Sequence, residues 1–532
     1  MIMIDRLKRM TAAQLHAGLE GDQEVALLDI REEGSFSNSH ILTASNVPLS
    51  RFERLVPALV PRRGTPIVLC DEDEKRTQRA AEILAAHGYH DVAILQGGLS
   101  SWIEAGFAVF SGVYVPSKAF GEFVEVSYGT PHIEAKELKR MLDAGEDVVV
   151  LDSRPFDEYH WIGIPGAIDC PSGELVLRVR EVVPSPDTLV VVNCGGRTRS
   201  IIGAQILIDA GLPNKVVSLK DGTQGWHLAG LDVARGQDRV APLPGAQALT
   251  WGREAAARIA DRFAVRVIDA AGLADFEKQS AERTLYRFDV RDPEEYRAGH
   301  RRGFRSAPGG QLVQATDTFI AVRQARIVLG DTDGVRARTT AAWLVRMGFE
   351  HVFVLGDTTI ADKETGNAPE TVLGLDQVTV DTIGVSELAA LLESRKTVVV
   401  DVATSREYGA GHIPGAWFAV RGRLADDARR LPPSESCVIT SSDSVIARLA
   451  AHELSDATRR PVRVLAGGTN AWRAQGRPLE TGPTHLASTP DDVALKAFEQ
   501  PKNREAAMRQ YLQWEVGLVE QVRRDATLRF RL

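Results

Sequence analysis

Short apolar runs recur along the chain, each ending on an aspartate: VALLD at Asp29, VVVLD at Asp152, LYRFD at Asp289 and VVVD at Asp401. Short apolar runs bounded by polar turns predict strands. Behind each aspartate comes a turn (SHILTASNVP, WIGIPGAIDCP, GHRRGFRSAP, GHIPGAWFAV), and then a second apolar strand (PIVLC, LVVVNC, ARIVLG, SCVIT). An alanine-rich amphipathic stretch such as RAAEILAAHGY or TTAAWLVRMGF follows, and a third strand (VAIL, VVSL, VFVL, VRVL) closes the unit. In three units a glycine turn and a tryptophan come next (QGGLSSW, KDGTQGW, AGGTNAW), whereas the third runs into LGDTTIADKETG.

The unit reads strand, loop, strand, helix, strand, helix, which predicts an α/β fold with a mostly parallel central sheet flanked by helices. At 532 residues, domains of about 100–150 residues suggest four, matching the repeat count. The expected boundaries are 1–112, 125–238, 263–372 and 378–482, with a linker and helix at 239–262 and a helical tail at 489–532. The long linker predicts a division of the four units into two pairs. For the tail, Leu495, Ala507, Met508, Leu512, Val516 and Val519 are the expected apolar contacts, and no chemistry is assigned to it.

Ligands of parallel sheets sit beyond the carboxyl ends of the strands, and one such end stands out: Val191-Val192-Asn193-Cys194-Gly195-Gly196-Arg197-Thr198-Arg199-Ser200. A lone cysteine leads into two glycines, two arginines and a helix start. Backbone N–H groups converging there, with the arginines, favour the thiolate and any anion joined to it. The net charge of -8 argues against a general nucleic-acid binder, and no apolar run reaches the ~18–20 residues of a membrane span. Four cysteines, at 70, 170, 194 and 437, form neither a disulfide framework nor a metal pair. The chain start lacks a secretory pattern, so the expected address is a reducing cytoplasm.

The set LDSRPFDEY, IPGA, VVNCGGRTRS and DGTQGW resembles the rhodanese (thiosulfate sulfurtransferase) superfamily, in four copies. The resemblance implies an enzyme whose cysteine alternates between thiolate and persulfide, with no cofactor and no metal. Cys194 would take the outer sulfur of thiosulfate and pass it to cyanide or a thiol. The amides of Gly195, Gly196, Arg197, Thr198, Arg199 and Ser200 would hold the persulfide. Arg197 and Arg199 would bind the sulfonate end, with Arg154 as a further cation beside Asp152. The resemblance implies a small-molecule sulfur donor and a thiol or cyanide acceptor; charge and hydropathy leave no nucleic-acid or membrane partner expected, and a homodimer stays open. The usual Gly-His of the family, Gly411-His412 in the fourth unit, is Ile162-Gly163 in the second. His160 lies nearby as a partial substitute, and the histidine is read as structural.

The other three units are expected to be inactive. Aligning Ala80–Leu84 with Gly203–Leu207 makes the Cys70 loop one residue longer than that of Cys194, with Arg76 six residues past the sulfur. In relatives, longer loops go with phosphatase or arsenate-reductase activity, but Asp71, Glu72, Asp73 and Glu74 would repel an oxyanion. The third unit offers Gly330-Asp331-Thr332-Asp333-Gly334 and the fourth Thr440-Ser441-Ser442-Asp443-Ser444, neither with sulfur. Cys170 and Cys437 read as packing, as do Trp102, Trp226 and Trp472 at one repeated position. Two alternatives stay open: 3-mercaptopyruvate as donor, and a sulfur-relay scaffold whose inactive units bind partners.

Overall fold

The computed structural model describes residues 7–394, 396–500 and 502–532. In the second unit the sheet runs His132–Ile133, Val216–Leu219, Leu189–Asn193, Val148–Asp152, Ile168–Asp169, all neighbours parallel. The same order recurs around Val25–Asp29 and Ile67–Cys70, around Leu285–Asp289 and Arg326–Gly330, and around Thr397–Asp401 and Ser436–Thr440. Leu189–Asn193 is buried at every position, as its unbroken apolar run requires. The helix behind it, Thr198–Asp209, approaches closely because Gly203 has no side chain: a Cβ there would lie 2.8 Å from Leu175 and 3.0 Å from Val192. No helix among the described residues is long and apolar enough to cross a membrane.

The units do not associate as the linker suggests. Helix Ala246–Arg262 packs between helix Leu175–Val182 of the second unit and helix Arg336–Arg346 of the third, joining them instead of separating pairs. Those two units also touch backbone to backbone at Gly173 and Gly310, where a Cβ on Gly173 would meet Gly310 N at 2.8 Å. The first unit meets the fourth instead, with Arg421 donating to both oxygens of Glu53 at 2.8 Å. Strand Val322–Arg323 of the third unit adds antiparallel to Val25–Asp29 of the first, covering half of an exposed edge. Phe52 and Val56, Leu175 and Val179, and Leu312 and Trp343 accordingly share one buried apolar core across three units.

Arg336 holds the contact between the second and third units. It is 1 % exposed and donates to Asp333 and Glu295 of its own unit and to Glu174 of the second. Removing a buried cation strands its carboxylates, so Arg336→Met is expected to cost about 3–5 kcal/mol. A fall in the urea midpoint of unfolding checks this.

The C-terminal helix Arg504–Arg523 packs on helix Val115–Tyr128, which links the first two units. Met508, Leu512 and Val519 are buried there as expected, and Leu518 and Val522 join them. Leu495 and Val516 are exposed, at 45 % and 55 %, so these two are not core contacts.

Candidate active site

Sheet register fixes which residues are equivalent at the four strand ends. Asp152 pairs with Asn193, Asp289 with Gly330 and Asp401 with Thr440, which places Cys194, Asp331 and Ser441 at one position. In the first unit Asp29 pairs with Cys70 itself, so the counterpart of Cys194 is Asp71. A second set of bonds agrees: Cys194 O accepts from Thr223 N, Ser441 O from Thr469 N, and Asp71 O from Leu99 N. The expectation of a longer first-unit loop is therefore corrected. The loops are equal in length, and Cys70 is the last residue of the strand, buried, with its thiol pushed well up by desolvation and by Asp29.

What fills the loop differs among the units. In the third, Asp331 turns its carboxylate inward and accepts from Gly334 N at 2.9 Å and Ala337 N at 2.8 Å. In the first, Asp71 accepts from Glu72 N and Arg76 N. In the second, the N–H groups of residues 195 to 200 have no oxygen acceptor among the described residues. They stand at the start of helix Thr198–Asp209, around a sulfur instead of a carboxylate. The Cys194 thiol donates to Ser200 Oγ at 3.5 Å, and Ser200 donates to Arg197 O at 2.8 Å. Unpaired N–H groups at a helix start form an anion-binding nest.

The arginines divide their duties. Arg199 lies beside the loop, paired with Glu158 at 2.8 Å. Burial alone would lower its pKa, but the Glu158 carboxylate beside it raises it, so it stays a cation. Burial likewise works to raise the Glu158 pKa, and Arg199 and Lys496 overcome it and pull the carboxyl far down. Arg197, expected on the substrate, is bound instead by Glu122 at 2.6 Å, by Asp221 at 3.0 Å and by Glu125, and it clamps the loop from outside. Arg154 chelates Asp152 at 2.8 and 2.7 Å and donates to Ile162 O. The same chelate joins Arg31 to Asp29 and Arg291 to Asp289 in units with an aspartate at the Cys194 position, so this pair belongs to the frame of the fold.

A cavity of about 680 Å³ opens beside Gly195, Gly196 and Arg199. Its walls come from four places: Gly112 and Lys118 before the second unit, Arg154 and Glu158 within it, Gln311 and Gln314 of the third, and Lys496 and Tyr511 of the tail. The tail was assigned no chemistry from the sequence, yet it roofs the loop. Glu515 accepts from Thr198 Oγ1 at 3.1 Å, and a Cβ on Gly196 would lie 3.1 Å from both Glu515 and the Tyr511 ring. Lys118, Glu158, Lys496, Tyr511 and Glu515 all escaped the sequence reading. Of these, only Glu158 lies in a quoted motif.

Trp102, Trp226 and Trp472 each donate to a backbone carbonyl six residues on, in the first, second and fourth units alike. His412 bonds Tyr408 O at 2.8 Å, as His40 and His300 bond their own turns, whereas His160 bonds Gln237 O and does not take that place. Cys170 and Cys437 are buried, and all four cysteines are free.

The family model for the Rhodanese-like domain matches residues 11–105, 134–229, 273–357 and 384–475. A crystal structure of a thiosulfate sulfurtransferase from Pseudomonas aeruginosa is 46% identical, with a TM-score of 0.94, covering 99% of this chain and 100% of that one. A thiosulfate sulfurtransferase of Shewanella oneidensis is 31% identical over 104 residues, which is 20% of this chain and 92% of that protein. An HTH-type transcriptional regulator of Mycobacterium tuberculosis is 37% identical over 110 residues, and the match spans only 47% of its length. The chain belongs to the rhodanese family, with four rhodanese-like domains in tandem.

Proposed function

We propose that this protein is a sulfurtransferase that moves sulfane sulfur from thiosulfate to cyanide or a thiol through a persulfide on Cys194. One observation carries the reading: of four register-equivalent strand ends, Cys194 alone has sulfur, and around it the loop N–H groups lack the internal carboxylate that Asp331 supplies in the third unit. A persulfide anion would take those N–H groups, which cost nothing to reorganise because they are already oriented. Arg199 would meet the sulfonate of the donor, and Arg197 would keep the loop in shape. The domain boundaries 1–112, 125–238, 263–372 and 378–482 fit the same proposal, in which the three other units serve as scaffold.

3-Mercaptopyruvate is retained as a second donor because Arg197 is tied up by carboxylates, leaving one loop arginine to favour a sulfonate. Intact-mass measurement after exposure to each donor tests the assignment, through the gain of one sulfur atom. Cys70→Ser is expected to leave that gain unchanged, since its thiol sits at the end of a buried strand and holds its proton. A persulfide lost with Cys70→Ser would move the site to the first unit.

A further inference from the structure

Four cations line the cavity beside Gly195 and Gly196: Lys118, Arg154, Arg199 and Lys496. Three have carboxylates. Arg154 is paired with Asp152 at 2.7 Å, while Arg199 and Lys496 share Glu158 at 2.8 and 3.0 Å. Lys118 has no carboxylate within 4.0 Å among the described residues. Its polar partner is the neutral hydroxyl of Tyr511, which accepts from Lys118 Nζ at 2.6 Å and donates to Glu515 Oε1 at 2.8 Å. The ammonium group also lies 4.3 Å from the Tyr511 ring centre and 5.0 Å from that of Trp514. At 6 % exposure this is a buried ammonium ion that touches no carboxylate directly and reaches that of Glu515 only through the Tyr511 hydroxyl, an arrangement that costs stability unless an anion completes it.

We propose that Lys118 is a catalytic residue of the sulfur transfer, contacting the sulfonate of the donor and then the departing sulfite, with Tyr511 as the positioning residue that aims it. The proposal rests on the sulfur-transfer reading of Cys194. In the step it serves, the Cys194 thiolate forms a bond to the outer sulfur of thiosulfate. The sulfur–sulfur bond of the donor breaks, and its electron pair leaves on sulfite. No proton moves. The single charge of the thiolate becomes that of the persulfide, and the double charge of thiosulfate leaves as sulfite. All of that negative charge gathers in a cavity where Asp152 and Glu158 already offset the other cations. Lys118 supplies positive charge with no carboxylate paired to it.

The groups facing Lys118 make its charge depend on pH in a definite direction. Burial lowers its pKa to about 8, Glu515 and Cys194 work against that, and Arg199 and Lys496 add to it. The ammonium form is therefore present below about pH 8 and is lost as pH rises through that value. Thiosulfate turnover should carry an alkaline limb there.

The test uses the full chain with Lys118→Met, Lys118→Arg and Tyr511→Phe, each checked for native circular dichroism. Lys118→Met is expected to lower kcat/KM for thiosulfate about a hundredfold, the loss typical of removing one preorganised charge-stabilising donor. Lys118→Arg should keep kcat/KM within about threefold and erase the alkaline limb, because a guanidinium stays charged. Tyr511→Phe should move the limb to lower pH, since the hydroxyl oxygen that supports the ammonium is gone. In a Cys194→Ser background, adding Lys118→Met should weaken thiosulfate binding about tenfold, consistent with losing one charged contact. A folded Lys118→Met with wild-type kcat/KM would overturn the assignment. So would a Lys118→Arg as impaired as Lys118→Met with the wild-type pH profile, since that pattern belongs to packing. Persulfide formation on wild-type Cys194 reads the underlying function separately. If wild type forms none, both proposals fall. If wild type and Lys118→Met form it equally fast, the role of Lys118 alone falls.

Discussion

Cys194→Ser should abolish both the persulfide and thiosulfate turnover, a loss of at least about a thousandfold, the scale seen when a sole nucleophile is removed. The change replaces one atom on a side chain that is 2 % exposed, so the fold should persist and the loss should be chemical. A serine hydroxyl ionises far less readily than a thiol, and the loop N–H groups do not close that gap. No other unit is expected to take over. The counterparts of Cys194 are Asp71, Asp331 and Ser441, and the two carboxylates already occupy their own loops. Intact-mass measurement after thiosulfate exposure, beside steady-state turnover, checks the expectation. A sulfur gain that survives Cys194→Ser would place the carrier on another thiol.

The fold was legible because its signal is local and written four times. A strand of apolar residues ending on Asp152, followed by a turn and a second strand ending at Asn193, is visible without any tertiary information. The Cys194 loop was legible for the same reason, since glycines, arginines and a helix start follow the sulfur in sequence. Cys70 was misplaced by one residue because sulfur was matched to sulfur, whereas the equivalence is set by Asp29 pairing with Cys70 across the sheet. A one-residue slip of that kind shows only when strands are paired. Arg197 and Arg199 look alike in sequence, and they separate only when Glu122 and Glu125 arrive from the helix Val115–Tyr128 and Glu158 from the opposite side. The roof of the site was illegible for a stronger reason. Lys118 and Tyr511 are 393 positions apart and meet only because the C-terminal helix packs on the helix that links the first two units.

Repetition also allows one steric change to be compared at matched positions with and without chemistry, and Gly222 and Gly468 are that pair. Both have left-handed backbones, with φ of 56° and 63°, a conformation that costs a side-chain-bearing residue about 1–2 kcal/mol. In both, a Cβ would press on the carbonyl oxygens of the loop: Cys194 and Gly196 for Gly222, Ser441 and Ser442 for Gly468. Gly222→Ala and Gly468→Ala should therefore lower stability by similar amounts, read as shifts in the urea midpoint. Their effects on turnover should differ widely. In the second unit the loop can relieve the clash only by moving Cys194 and Gly196, and a displacement of about 1 Å at a reacting centre costs on the order of a hundredfold in rate. In the fourth unit the same displacement moves Ser441, which carries no sulfur, and the cavity beside Cys194 has no lining residue from that unit's loop. Gly222→Ala is expected to lose about a hundredfold in thiosulfate turnover while Gly468→Ala keeps wild-type activity at temperatures where both remain folded. Equal losses would mean that activity follows overall stability, and the loop geometry at Cys194 would then carry no special share of the catalysis.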